Sequence, residues 1–369
     1  MKITGVIAEY NPFHHGHSYH LKKCRELTNP DLLICVMSGN FVQRGEPAIV
    51  DKWQRAKMAV QNGCDIVFEL PFPYCVQSAE YFAQGACDIL KQAGIQDLVF
   101  GSEINDIETL KKLANIDSIQ FKDLQKDGIS ANKAYELIYG VMNPNDILGL
   151  NYIRALKNSS INVHSIKRTN AYHDKKLDST YASATAIRQA IYHDQAVDDY
   201  CDMEALNTTF QLKNYYPLIQ HILFTTSVDE LKTYFLMDEG IESLLIKQAR
   251  KYMDFDEFLN ACTTKRYSTS RIRRTLIHLM MGTTKERIDS LTSCPYLRIL
   301  AYNKKGQAYL NECKKNITIA SRFNQIPQPW RDIELKACMC YSYPLNAQEK
   351  KAMLDGELQS PIFVPCSSL

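Results

Sequence analysis

Hydrophobic residues in the first half of the chain gather in short, nearly unbroken runs at 3–8, 32–37, 65–70, 97–100 and 161–166. Such runs, rich in aliphatic and β-branched residues, read as strands buried on both faces of a parallel sheet. Between them the apolar spacing lengthens to three or four residues and predicts helices over 16–28, 50–62 and 78–92. Trp53, Ala56, Met58 and Ala59 supply the apolar stripe of the second helix, with Gly63 at its C′ position, and Gly94 ends the third. The alternation predicts an α/β, doubly wound parallel-sheet domain over 1–196. From residue 197 strand-like runs become rare, and helical spacing marks 244–249 and 273–281. Residues 197–369 are therefore expected to be mostly helical, with short strands near the C-terminus and an extended stretch at 361–365.

Composition narrows the class. With 369 residues, 45% hydrophobic and 23% charged, the chain has the balance of a folded protein. Twelve cysteines include no C-x-x-C pair, and most sit in apolar runs such as Leu33-Ile-Cys35-Val. That pattern predicts buried free thiols rather than disulfides or a zinc site. The apolar N-terminal stretch is short and meets Glu9, unlike a secretion signal. No window approaches the roughly 18 apolar residues of a membrane span. A cytoplasmic protein without a membrane partner is expected.

Four of the nine histidines fall between residues 14 and 20, in Tyr10-Asn-Pro-Phe-His14-His15-Gly16-His17-Ser-Tyr-His20. The cluster follows the first predicted strand and opens the first predicted helix. In a doubly wound sheet that turn lies at the ligand-binding edge, and the helix start offers N–H groups and a positive dipole end to phosphate. His14 and His17 can face one anion. A histidine-rich surface turn and a metal site are the competing readings. A second candidate is Tyr181-Ala-Ser183-Ala-Thr185-Ala-Ile-Arg188, where Ser183 reads as an N-cap and Arg188 as a phosphate ligand one turn later.

The first motif resembles the H-x-G-H signature of a nucleotidyltransferase superfamily, and the second its Ser-Ser-Thr-x-Ile-Arg motif. Longer stretches sharpen the likeness: Met37-Ser-Gly-Asn-Phe-Val-Gln-Arg-Gly-Glu-Pro-Ala48, Asp51-Lys-Trp-Gln-Arg-Ala-Lys-Met58, Phe68-Glu-Leu-Pro71, Phe100-Gly-Ser-Glu103, Pro144-Asn-Asp-Ile-Leu-Gly149 and Tyr172-His-Asp174. Together they resemble the tRNA(Met) cytidine acetate ligase family. The likeness covers nearly all of 1–195 and thins beyond, chiefly to Lys265-Arg-Tyr-Ser-Thr-Ser-Arg-Ile-Arg-Arg274.

The resemblance implies a Rossmann-like nucleotidyltransferase fold. It also implies a reaction: ATP activates acetate as acetyl-adenylate, and the wobble cytidine of elongator tRNA(Met) takes the acetyl group, giving N4-acetylcytidine, AMP and pyrophosphate. His14 and His17 would be catalytic. The ATP cradle would comprise Ile7, Ala8, Glu9, Tyr10, Asn11, Pro12, Phe13, His14, His15, Gly16, His17, Ser18, Tyr19 and His20, with Gly101, Asn145, Arg168, Ser183, Thr185 and Arg188. Mg²⁺ would enter with ATP, since no carboxylate cage is visible. Gln43, Arg44 and Glu46 read equally as an acetate or cytidine pocket and as a structural loop. Lys52, Arg55 and Lys57 are expected to form a solvated helix face rather than an RNA contact.

The net charge of +2 looks unsuited to a nucleic-acid partner until it is divided. Residues 1–196 are neutral, 197–242 hold 2 basic and 9 acidic residues, and 243–322 hold 16 basic and 6 acidic. The basic block predicts a tRNA-binding surface at Lys265, Arg266, Tyr267, Arg271, Arg273 and Arg274, with Tyr267 offered for stacking. The acidic stretch before it, including Asp229, Glu230, Asp238 and Glu239, is expected to repel phosphate. A small-molecule adenylyltransferase shares the first domain but needs no basic helical half. A non-catalytic RNA-binding protein needs no intact histidine motif.

Overall fold

The computed structural model describes residues 1–115, 136–138, 140, 142–168, 182–201, 206–314 and 317–365. The Tyr172-His-Asp174 motif and Tyr181 lie outside the described residues.

The strands are β1 (Ile3–Ala8), β2 (Leu32–Ser38), β3 (Phe41–Val42), β4 (Glu46–Pro47), β5 (Ile66–Leu70), β6 (Asp97–Ser102), β7 (Asn162–Lys167), β8 (Leu297–Tyr302), β9 (Ile319–Ala320) and β10 (Ile362–Phe363). The main sheet runs β10-β8-β5-β2-β1-β6-β7, with β9 beside β8, while β3 and β4 form a separate hairpin. Pairing is parallel except where β8 meets β5. Strand order reverses at β1, whose neighbours are β2 and β6. That reversal opens a crevice beyond the C-terminal end of β1.

The longer helices are α1 (His15–Thr28), α2 (Lys52–Gln61), α3 (Ala79–Gln92), α4 (Ile107–Ala114), α5 (Pro144–Leu156), α6 (Ala184–Tyr192), α7 (Tyr216–Thr225), α8 (Ile241–Lys251), α9 (Phe255–Cys262), α10 (Thr269–Met280), α11 (Lys304–Cys313), α12 (Trp330–Tyr341) and α13 (Ala347–Glu357). Alternation along the strands explains the layers. Ile34, Val36, Ile66 and Phe68 face a core shared with α3, and Leu33, Cys35, Met37 and Val67 face one shared with α1 and α2. β7 departs from the expected double burial: its residues are half-buried or exposed because it forms the sheet edge.

The second half is helical through α7–α10, then returns to the sheet. β8 pairs antiparallel with β5, and β9 and β10 flank β8. Buried charges tie this return to the first half. Lys52 Nζ lies 2.7 Å from Glu69 and 2.8 Å from Glu357, and Arg298 contacts the same two carboxylates at 2.9 and 2.6 Å. The solvated face expected of α2 is thereby corrected. Lys52 is buried in this cluster, and Arg55, fully buried, donates to the carbonyls of Glu9, Ser38, Gly39 and Val50. Among the three only Lys57 is exposed. Apolar helix spacing alone does not reveal that a cation will meet carboxylates from strands distant in sequence.

Candidate functional site

β1 delivers the chain to the histidine turn. His14 is the N-cap of α1, and its Nδ1 accepts the Gly16 N–H at 3.0 Å. His17 Nδ1 accepts the His14 N–H at 3.2 Å. Each backbone donor fixes Nδ1 as an acceptor, so the neutral rings carry hydrogen on Nε2. The rings lie against each other at a tilt of 36°, with centroids 3.8 Å apart. Burial lowers the pKa of His14 to about 3, helped by Arg168, and holds His17 well below the usual imidazole range, helped by His14. His20 is lowered to about 4 by burial and Arg168. The turn therefore presents neutral Nε2–H donors beside the positive end of α1. Gly16 serves the histidine rather than only a ligand: a Cβ there would stand 2.8 Å from His14 Cε1.

A cleft of about 1630 Å³ opens in front of this turn. Ile7, Ala8, Glu9, Tyr10, Asn11, His14, Gly16, His17, Tyr19 and His20 line it. Pro12, Phe13, His15 and Ser18 do not. Phe13 is buried against Tyr10 and His17, His15 is exposed with its N–H on Tyr200 O, and Ser18 donates to Asn62.

Gly101, Asn145 and Arg168 reach the same cleft from β6, the start of α5 and the end of β7. Glu103, which the sequence offers only as part of the Phe100-Gly-Ser-Glu103 motif, ties Asn145 to Arg168. Its Oε1 accepts from Asn145 Nδ2 at 2.6 Å and lies 3.6 Å from Arg168 Nε. Asp146 in turn accepts from Ser102 Oγ and from the Glu103 N–H. The available signal was the Gly-Ser-Glu run directly after a strand. Ser183 caps α6 as expected, accepting the Ala186 N–H at 3.1 Å. Arg188, one turn on, donates to Asn11 O at 2.7 Å, with Thr185 Oγ1 at 3.5 Å.

The basic block sits differently from a flat outer face. Arg266, Tyr267, Arg271 and Arg274 line the same cleft as the histidines, whereas Lys265 and Arg273 do not. Arg274 is lowered to about 10 by burial and by neighbouring Arg271 and Arg44, and it approaches Gln43 O at 3.4 Å. Arg273 forms a short ion pair with Glu46, whose other oxygen lies 3.6 Å from Arg188. One carboxylate of the β3–β4 hairpin thus joins α10 to α6. Tyr267 is not offered for stacking: it is 6% exposed and its hydroxyl donates to Glu239 O. The acidic stretch is not wholly repulsive either. Asp238 pairs with Arg271 and Lys285, and Glu239 with Arg266, so these two acids neutralise the block they were expected to oppose.

Parallel strands, a strand-order reversal and a pair of reciprocally capping histidines define a nucleotidyltransferase of the H-x-G-H type. The HIGH Nucleotidyl Transferase family matches residues 1–355. Within that class the chain belongs to the tRNA(Met) cytidine acetate ligase family. A relative of that name from Caldicellulosiruptor bescii is 38% identical, covering 100% of both chains, and one from Oenococcus oeni is 40% identical over 98% of this chain and 100% of its own. Thermotoga maritima TmcAL superposes with a TM-score of 0.89 at 31% identity, covering 99% of this chain and 100% of that one. Its form bound to alpha-thio ATP gives 0.87 at 30% identity with the same coverage. Among the described residues no helix is long and apolar enough to cross a membrane, and no group of three or more His, Cys, Asp or Glu side chains could hold a metal ion.

Proposed function

We propose that this protein joins acetate to the wobble cytidine of elongator tRNA(Met) in an ATP-dependent reaction, forming N4-acetylcytidine and releasing AMP and pyrophosphate. One observation carries the reading: the histidine turn and the arginines of α10 wall a single cleft. Residues 1–196 supply the phosphate-binding wall in this reading, and 197–369 supply the RNA-facing wall. ATP binds against Ile7–Tyr10, the histidines, Gly101, Asn145 and Arg168, with Ser183, Thr185 and Arg188 closing over its phosphates. Acetate attacks the α-phosphorus. The Nε2–H groups of His14 and His17, the N-termini of α1 and α6, and Arg188 neutralise charge as pyrophosphate leaves. The cytidine amine then attacks the mixed anhydride, whose AMP leaves far more readily than oxide would leave acetate. Mg²⁺ would enter with the ATP phosphates. The cytoplasm, where ATP, tRNA and free thiols coexist, is the compartment this chemistry suits.

Purified protein with labelled acetate, ATP and total tRNA tests the reading. Label entering tRNA only when ATP is present supports it. ATP turnover that yields a phosphorylated metabolite and ignores tRNA would replace it with a small-molecule adenylyltransferase.

A further inference from the structure

The second step needs a proton acceptor. Cytidine N4 is a weakly nucleophilic amine with two hydrogens, and one must leave as the amide forms. Of the carboxylates that line the cleft, Glu80, Glu136 and Asp289 are solvent-exposed, and three more are already engaged in ion pairs. Asp238 pairs with Lys285 and Arg271, Glu239 with Arg266, and Asp88 with Lys91. Glu9 is different. It follows the last residue of β1, five residues before His14, on the cleft wall. Its Oε1 is held by the Gln43 N–H at 2.7 Å, and its backbone carbonyl is held by Arg55 at 2.5 Å. Among the described residues it has no ion-pair partner within 4 Å. The backbone and one oxygen are anchored, and the second oxygen accepts no hydrogen bond among the described residues.

The groups facing Glu9 are Arg44 from the hairpin, Arg188 from α6, Arg55 from α2 and the Gln43 N–H, and all of them favour the carboxylate. Burial acts against them and dominates, raising the pKa of Glu9. A carboxyl so raised is a stronger base than an exposed one.

We propose that Glu9 is the catalytic base of acetyl transfer, accepting a proton from cytidine N4. The N4–C bond forms at the acetyl carbonyl, and the C–O bond to AMP breaks with its electron pair leaving on AMP. The N4 proton passes to Glu9 and from there to water in the open cleft. The same contact selects cytidine over uridine, because a carboxylate accepts from N4–H but is repelled by the O4 of uridine. This inference rests on the acetyl-adenylate reading above.

The two half-reactions are separable. Acetate-dependent exchange of labelled pyrophosphate into ATP reports activation, and single-turnover acetylation of tRNA reports transfer. In Glu9→Gln, which can keep the Gln43 contact, transfer falls at least ~100-fold more than exchange, and the acid limb of the transfer pH profile disappears. Glu9→Asp retains that limb at a reduced rate. Equal losses in exchange and transfer, or a transfer rate near that of the parent, overturn the assignment, with thermal melts confirming that both variants fold. Absence of acetate-dependent exchange in the unaltered protein would instead sink the acetyl-adenylate reading.

Discussion

At the scale of single residues, the reciprocal capping of His14 and His17 decides their tautomer, and burial keeps them neutral. Replacing either with Ala removes an Nε2–H donor, and acetylation is expected to fall ~10²–10³-fold while tRNA affinity changes little. Loss of tRNA binding in a filter assay instead would show that the phosphate site lies elsewhere. A third histidine allows a cleaner electrostatic test. His278 is fully buried, bonded to Val76 O, and lowered to about 4 by burial. Its folded pKa lies below its unfolded value, so the unfolded chain binds more protons and stability falls as pH drops below about 6.5. Urea unfolding at pH 7 and pH 5 should show the parent losing about 2 kcal/mol more than His278→Gln. An equal loss in both would contradict the buried neutral ring. The histidine turn was legible because its spacing coincides with a strand end and a helix start. Glu103 was not, since its value lies in Asn145 and Arg168, more than forty residues away.

At the scale of elements, the β3–β4 hairpin bridges the two walls of the cleft through Glu46. Gly45 has φ +76°, and a Cβ there would stand 2.4 Å from the Arg274 backbone nitrogen. Gly45→Ala should destabilise the fold by about 1–3 kcal/mol and loosen α10 from the hairpin. Thermal denaturation with a parallel tRNA titration checks both, and a variant as stable as the parent would show that the contact yields freely. Replacing Arg271 and Arg274 together should weaken tRNA binding and flatten its dependence on salt by up to ~2 in log–log slope. An unchanged slope would remove α10 from the RNA surface. The strands β1, β2, β5, β6 and β7 and the helices α1, α2 and α3 were readable from periodicity to within a residue or two. The role of α10 was only half readable. Composition disclosed its charge, but not that Arg273 and Arg274 turn inward to Glu46 and Gln43 while Asp238 pairs with Arg271.

At the scale of the whole molecule, the C-terminal segment completes the sheet that the first half begins. Its attachment depends on buried charge as well as on β8. Glu357 is 1% exposed and shares Lys52 and Arg298 with Glu69. Glu357→Ala leaves those cations under-compensated and should cost about 3–5 kcal/mol, read as a lowered urea midpoint. A loss below ~1 kcal/mol would mean that the cluster adds little beyond surface pairs. This return was the least legible part of the fold, because β8 is one short run among helices and its partner β5 lies more than 200 residues earlier. The whole-chain charge was similarly opaque until divided, since a neutral sheet, an acidic stretch and a basic block nearly cancel. What unites the scales is one cleft with the histidine turn on one wall and Arg271 and Arg274 of α10 on the other. The most direct test is nucleoside mass spectrometry of purified elongator tRNA(Met) after incubation with the protein, acetate and ATP. The account predicts N4-acetylcytidine at the wobble position only when both acetate and ATP are present. An unmodified wobble cytidine beside active ATP turnover would contradict it.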